Sequence, residues 1–347
     1  MLDTVHWREL PRREQSRRVL IDLRSPKEFA RGHVPDAVNL ALLDDDERHE
    51  VGKTFKERGK AEAVALGLEV FARKAPLFLT AVENLTSQGG ELFVHCWRGG
   101  MRSRLVGMWL ARAGFRVRIL RGGYKSYRRE VLTALDHLAL HPKLVVNGRT
   151  GSGKTHLLEE LSKEGLPVID WEGLAHHRGS AFGALAQEHA PPTQQNFENL
   201  LAEHYGKVCH HKTLLLELEN NIGPVKVPCK IRKSMENSPM IFVSRDFNDR
   251  VNLLARIYCK DWDSQREKEF VENVALLKKF IPKRDMEALQ EAVRERKFPY
   301  AIGQLLTLRY DKAYDKSLER YRGNAIASFN LSREYKQAKD FLHSTLK

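Results

Sequence analysis

Short apolar runs alternate along the chain with stretches of helical period. Val19–Leu23, Glu91–His95 and Arg116–Leu120 have strand length and β-rich composition in the first part. Lys143–Asn147, Leu166–Asp170, Thr213–Leu218 and Met240–Val243 repeat the pattern in the second. Between them lie amphipathic segments. Lys60–Leu79 is apolar at Val64, Leu68, Phe71 and Leu79; Leu105–Ala113 is an apolar helix; Ser126–His141 places Val131, Leu132, Leu135 and Leu138 on one face. Strands that alternate with helices predict parallel α/β sheets. Ser25-Pro26-Lys27-Glu28 supplies a helix start, with a cap, a proline at the first helical position and an acid three residues after the cap. Gly32–Leu40 reads as a turn into a second strand, and the charged Asp44–Gly59 as a surface loop with a short helix. His141-Pro142 breaks the linking helix. From Asn252 the pattern is mostly helical to Lys347, with many Lys and Arg.

The length of 347 residues fits two domains, each long enough for its own core. With 42% hydrophobic and 30% charged residues the composition is that of a globular chain and excludes a disordered one. The longest apolar runs, such as Ala75–Val82, are too short to span a bilayer, so no membrane association is expected. The start, Met1–Leu10, lacks a basic segment followed by an apolar one, so a cytoplasmic location is expected. The net charge of +13 comes from basic residues spread through both halves and favours a polyanionic partner. None of the four cysteines forms C-x-x-C, so neither a disulfide framework nor a metal centre is expected. Cys209, Cys229 and Cys259 read as buried small hydrophobes.

Cys96 reads differently. It directly follows an apolar strand and opens Trp97-Arg98-Gly99-Gly100-Met101-Arg102-Ser103-Arg104, a glycine-bearing turn into a helix. At such a turn consecutive backbone N–H groups can converge on one anion. The helix start and Arg98, Arg102 and Arg104 favour a thiolate, a soft nucleophile suited to carrying an anionic group. The spacing also fits H-C-x5-R-[ST], the phosphate loop of cysteine phosphatases. That chemistry would need a carboxylic acid for the leaving group, and Asp44, Asp45 and Asp46 cannot be given the role from spacing.

The strand Lys143–Asn147 runs into Gly148-Arg149-Thr150-Gly151-Ser152-Gly153-Lys154-Thr155 and then an apolar helix. This is G-x-x-x-x-G-K-[ST] in strand–loop–helix context, a phosphate cradle in which Lys154 adds charge and Thr155 is suited to a magnesium ion. Asp170 and Glu217 stand at the ends of later strands, where acids serve magnesium or a nucleophile. The polar, glycine-rich Asp170–Gly183, with Glu172, His176, His177 and Arg178, reads as a loop over the phosphates rather than a metal site.

The first half, roughly residues 10–135, resembles the rhodanese family. The likeness rests on Asp22-Leu23-Arg24-Ser25-Pro26-Lys27-Glu28-Phe29, Gly32–Asn39, the Cys96 loop and Leu120-Arg121-Gly122-Gly123-Tyr124. It implies that Cys96 carries a chalcogen as a persulfide or selenylsulfide. Taken together, the two loops resemble the tRNA 2-selenouridine synthase family over nearly the whole chain. Further matches are Asp45-Asp46-Glu47-Arg48, Gly122–Arg128, Glu172–Ser180, Gln194–Asn199, Leu216–Glu219 and Tyr310-Asp311-Lys312-Ala313-Tyr314. Lys53–Glu57 and Arg309–Lys312 depart from the usual family pattern, outside both loops.

The resemblance implies an α/β chain: a rhodanese-like parallel-sheet domain (1–135), a P-loop NTPase-like α/β domain (136–300) and a helical C-terminal extension (301–347). It implies a transferase acting on the wobble uridine of the tRNA anticodon. Its co-substrates would be geranyl diphosphate, for S-geranylation, and selenophosphate, drawn from a supplying enzyme. Diphosphate at Gly148–Thr155 and selenium at Cys96 are the matching assignments, with ATP hydrolysis as the alternative use of the phosphate loop. Arg104, Arg121, Lys125, Arg128 and Arg129 are candidate tRNA contacts. A sulfurtransferase or thiol phosphatase joined to a nucleotide-dependent kinase-like domain is the other reading.

Overall fold

The computed structural model describes residues 3–10, 17–86, 89–177, 190–259 and 262–346. It divides into two compact units: residues 1–133 with Glu198–Leu200, and Ala134–Phe197 with Leu201–Lys347.

In the first unit the strands are β1 (Asp3–Val5), β2 (Arg18–Asp22), β3 (Val38–Asn39), β4 (Glu91–His95) and β5 (Val117–Leu120). They form one parallel sheet in the order β1-β5-β4-β2-β3. Period-two alternation sorts the central strand β4 onto two cores. Leu92, Val94 and Cys96 pack with Val70, Phe71 and Phe78 of α3 (Lys60–Thr86) and Val106 and Leu110 of α4 (Met101–Arg112). Phe93 faces the other way, with Trp7, Leu20 and Tyr124, the last from α5 (Gly123–Leu140). Ser25 and Glu28 form the expected capping box on α1 (Pro26–Arg31). The charged stretch after Asp44 is more regular than expected. Asp44 and Glu47 make a second capping box, and α2 runs unbroken over Asp45–Glu57.

In the second unit β6 (Lys143–Asn147), β7 (Val168–Ile169), β8 (Leu214–Glu217), β11 (Met240–Ser244) and β12 (Ala325–Asn330) form a parallel sheet ordered β12-β11-β6-β8-β7. β9 (Asn221–Ile222) and β10 (Val225–Lys226) pair antiparallel. Strand β12 lies within the stretch read as mostly helical, and the main chain of β11 defines it. Leu157, Leu158 and Leu161 of α6 (Lys154–Lys163) and Leu342 of α15 (Tyr335–Leu346) pack on the sheet. Helices α11 (Ser264–Leu276), α12 (Lys283–Arg294) and α13 (Phe298–Leu305) build a separate core around Phe270, Val274, Leu289 and Ala301. Among the described residues, no helix is long and apolar enough to cross a membrane.

The cysteines correct one expectation. Cys209 and Cys229 are exposed and Cys259 is half-buried; only Cys96 is buried. Cys209 and Cys229 sit at the end of α8 (Gln194–Val208) and the start of α9 (Cys229–Glu236). Helix ends reach solvent whatever the residue's preference for burial.

Candidate functional site

Both glycine loops leave the carboxyl end of a central strand, where open parallel sheets bind ligands. After β4 the chain turns sharply. Tyr124 N–H donates to Cys96 O at 2.9 Å and Lys125 N–H to Trp97 O at 2.9 Å, tying the loop to the start of α5. The fit permits no side chain at Gly123 (φ 56°), where a Cβ would lie 2.2 Å from Cys96 O. The Cys96 Sγ lies 3.3 Å from Ser103 Oγ. Burial alone would raise the thiol pKa. The Arg102 charge, the Ser103 hydroxyl and the backbone N–H groups of Ser103 and Arg98 outweigh it, and the pKa is lowered. Arg102 is itself steadied by Glu28, 3.2 Å away. The cradle therefore favours a sulfur anion.

Beneath the loop, the Asp22 and Arg24 motif is structural. Both side chains are buried, with Arg24 Nη2 2.6 Å from Asp22 Oδ2 and 2.7 Å from Gly32 O. The guanidinium lies over the Tyr124 ring at 3.8 Å. His95 is fully buried, its Nε2 3.8 Å from Asp22 Oδ2, and burial lowers its pKa. Two of the acids considered for a phosphatase are engaged elsewhere. Asp44 accepts from Glu47 N–H and pairs with Lys74, and Asp45 accepts from Lys27 N–H at 3.0 Å.

The candidate RNA cations divide. Arg98, Arg104, Lys125 and Arg129 are exposed and make no side-chain ion pair with a described residue. Arg121 is exposed and reaches Thr4 Oγ1 at 3.4 Å. Arg128 is mostly buried, held by Glu198 and Asn199 at 2.5 Å each, so its charge is neutralised within the first unit. Trp97 (37% exposed) and Met101 (49%) add apolar surface near the thiol.

In the second loop Gly151 (φ 76°) and Gly153 (φ 93°) adopt left-handed backbone. Lys154 folds back, its Nζ donating to Gly148 O at 3.0 Å. That amine lies 4.0 Å from Glu217 Oε2 and 5.6 Å from the Tyr314 ring centre. Thr155 hydrogen-bonds Glu217 through its side chain. A cavity of about 320 Å³ opens on Thr150, Gly151, Gly153, Lys154 and Thr155, with Glu172, Glu219 and Tyr314 also on its wall. Glu172, Glu217 and Glu219 have raised pKa values, from burial first. Repulsion adds to this, from Glu217 on Glu172 and Glu219 and from Asp170 on Glu217, and Lys154 opposes the rise at all three. Asp170 caps the short helix α7 (Trp171–Ala175), accepting from Gly173 N–H at 2.9 Å. Arg178 lies outside the described residues. His177 packs on Gly223 beside the β9–β10 pair. Among the described residues no group of three or more His, Cys, Asp or Glu could hold a metal ion.

Several supports have no spacing signature. Arg250 donates to Thr150 O at 3.0 Å and pairs with Asp311 at 2.5 Å. Arg245 donates to Ser152 O at 3.1 Å. Arg149, expected on the phosphates, pairs with Asp315. The only sequence pointer to Asp311 and Tyr314 was the family likeness at Tyr310–Tyr314.

A parallel-sheet domain that presents a buried, thiolate-favouring cysteine, joined in one chain to a P-loop domain, defines a rhodanese–P-loop fusion. Residues 7–130 match the rhodanese-like domain family, and residues 141–346 match the family described as tRNA 2-selenouridine synthase AAA domain. The chain is 33% identical over 356 residues to the tRNA 2-selenouridine synthase of Hydrogenovibrio crunogenus, covering 93% of this chain and 94% of that protein. It is 40% identical over 250 residues to the protein of that name from Cupriavidus necator, and 35% over 242 residues to that from Psychromonas ingrahamii. Those two matches cover 69% of this chain and 65% of each relative, just under two thirds. The chain belongs to the tRNA 2-selenouridine synthase family.

Proposed function

We propose that the protein converts wobble 2-thiouridine in tRNA to 2-selenouridine, using its two loops for two successive steps. In the first, the thiocarbonyl sulfur attacks C1 of geranyl diphosphate. The S–C bond forms, the C–O bond breaks, diphosphate leaves with the electron pair, and the base gives up its N3 proton. The backbone amides of Gly148–Thr155 and the Lys154 ammonium are suited to the departing charge. Thr155, beside Glu217, is the residue that would hold a magnesium ion accompanying the diphosphate, and such an ion would offset the same charge.

In the second step the Cys96 thiolate attacks the phosphorus of selenophosphate, made by a separate supplying enzyme; the S–P bond forms, the P–Se bond breaks and hydroselenide is released at the loop, and water then cleaves the S–P bond to give phosphate and the free thiol. Hydroselenide adds to C2 of the geranylated base: the C2–Se bond forms, the C2–S bond breaks, the geranylthiolate leaves and takes a proton from water, and N3 regains its proton. Alkylation has turned a poor leaving group into a geranylthiol that can depart. A polarizable thiolate in an anion cradle suits this step.

The observation that carries the reading is that one chain holds two anion cradles of different chemistry, one with its own thiol nucleophile and one without. The test is nucleoside mass spectrometry of 2-thiouridine tRNA incubated with protein, geranyl diphosphate and selenophosphate. S-geranyl-2-thiouridine should accumulate without selenophosphate, and 2-selenouridine should form with both. Selenation of 2-thiouridine tRNA without geranyl diphosphate would overturn the order, and ATP-dependent modification alone would return the phosphate loop to a nucleotide.

A further inference from the structure

Trp97, the residue after the thiol, takes no part in either step, yet it is 37% exposed at the mouth of the loop. Its main chain is fixed, since Lys125 N–H donates to Trp97 O at 2.9 Å. Its ring centre lies 5.8 Å from that of the buried Tyr124, tilted by 43°, and Tyr124 in turn carries the Arg24 guanidinium at 3.8 Å. The indole is therefore backed by packed groups and open outward. Arg98, Arg104 and Lys125 are exposed on the same loop and on the first turns of α4 and α5. We propose that the Trp97 ring is the platform on which the wobble uracil stacks when it leaves the anticodon stack to meet the hydroselenide released at Cys96. The inference rests on the tRNA reading above and adds the residue that holds the base.

Three observations support it. Cys96 is buried, so a base must leave its neighbours in the RNA before its C2 can reach the loop. Unstacking costs a few kcal/mol, and a new base–aromatic stack of about 1–3 kcal/mol offsets much of that. Next, the ring has no evident use for the small reactant. Selenophosphate is a compact, hydrophilic anion that gains nothing from an aromatic face, whereas a planar base gains from one, most of all from a ring already held in place. Finally, the charge beside the ring has one sign. Arg98, Arg104 and Lys125 make no side-chain ion pair with a described residue, and Glu28, which reaches the loop, is taken up by Arg102 at 3.2 Å. Unpaired cations beside an outward-facing aromatic suit single-stranded RNA, with phosphates on the cations and a base on the ring.

The experiment is a cycle between protein and RNA. The full chain and its Trp97→Ala and Trp97→Phe variants are titrated with two anticodon stem-loops of one sequence. One carries S-methyl-2-thiouridine at the wobble position, the alkylated base without its long chain, and the other is abasic there. The unaltered protein should bind the first about tenfold more tightly, the scale of one base–aromatic stack. Trp97→Ala should bring the two within about twofold of each other, and its affinity for the abasic stem-loop should stay within about twofold of the unaltered protein's, because the phosphate contacts are unchanged. Trp97→Phe keeps a ring face and should retain most of the preference.

If Trp97→Ala keeps the tenfold preference, or weakens both stem-loops by one common factor, the ring holds no base and the inference is overturned. The tRNA reading then stands. Equal binding of the two stem-loops by the unaltered protein overturns the platform in the same way. If the unaltered protein binds neither stem-loop nor full-length 2-thiouridine tRNA, that reading and the platform fall together. Should thermal melting show that Trp97→Ala does not fold, Trp97→Leu, which keeps apolar bulk without a ring, carries the same comparison.

Discussion

The loops after β4 and β6 use the same backbone device and surround it with opposite charges. Each leaves a central parallel strand, turns on glycines of positive φ (Gly99 at 61°; Gly151 and Gly153 at 76° and 93°) and enters a helix. At the first loop the neighbouring charge is cationic, and the buried thiol is pulled below its usual pKa. At the second the cation, Lys154, sits among Glu172, Glu217 and Glu219, whose pKa values are all pushed up. The first loop contains its own thiol nucleophile; the second contains a buried ammonium held on Gly148 O and no thiol. An anion cradle is generic at the level of backbone. The side chains around it decide which anion it suits: at the first loop the protein's own sulfur, and at the second, on the function proposed above, a phosphate brought by a ligand.

The sharpest way to break this division is at the sulfur. Cys96→Ser should abolish selenation, because a serine hydroxyl stays protonated and is a hard nucleophile. Geranylation should continue, so S-geranyl-2-thiouridine accumulates in nucleoside analysis. Persisting 2-selenouridine would remove the thiol from the chemistry. Next in size is Lys154→Ala. Loss of a charge-assisted contact of about 1.5–3 kcal/mol should slow geranylation roughly 10–100-fold. Selenation of tRNA already geranylated should change little, and an equal loss in both assays would argue against separate roles.

The exposed cations near the thiol sharpen the contrast further. Reversing Arg98 and Arg104 to Glu should weaken tRNA binding about tenfold. It should also reduce the log–log salt slope by about 2, as expected for two lost phosphate contacts. An unchanged slope in filter-binding titrations would place the RNA on another face.

Two pH experiments probe the opposite charge environments. Arg102→Ala removes a cation that favours the thiolate, so the Cys96 pKa should rise. Its iodoacetamide reactivity profile should then move to higher pH; an unmoved profile would assign the effect to Ser103 and the backbone amides. At the other loop the sign reverses. Glu219 has a folded pKa raised to about 8 from 4.5, so ionising it costs the fold. The cost is absent below pH 4.5 and grows as pH climbs toward 8. Glu219→Gln should therefore raise Tm by roughly 2–4 °C more at pH 8.5 than at pH 5. Equal shifts at the two pH values would mean that Glu219 ionises freely in the folded protein.

Local signals were enough for the strands that carry the loops and for the loops themselves. Glu91–His95 and Lys143–Asn147 are dense apolar runs ended by glycine-bearing turns, and each forms a strand over those residues. The capping box at Ser25 and Glu28 was legible because it is a matter of spacing over three residues. Strand β12 was not legible. Its residues are half-buried or exposed, and its strand form depends on pairing with β11. Nor could any pattern anticipate that Cys209 and Cys229 end up at exposed helix ends.

The chemistry divides along the same line. Which atoms can act, the Cys96 sulfur and the Lys154 amine, follows from residue type and short spacing, because a strand–glycine–helix turn is a local structure. What surrounds those atoms does not. Arg245, Arg250 and Tyr314 reach the phosphate loop from distant segments, Arg128 is neutralised by Glu198, and Trp97 is backed by Tyr124 of α5. Burial and electrostatic environment are sums over everything nearby in space, and only the packed chain brings those neighbours within reach.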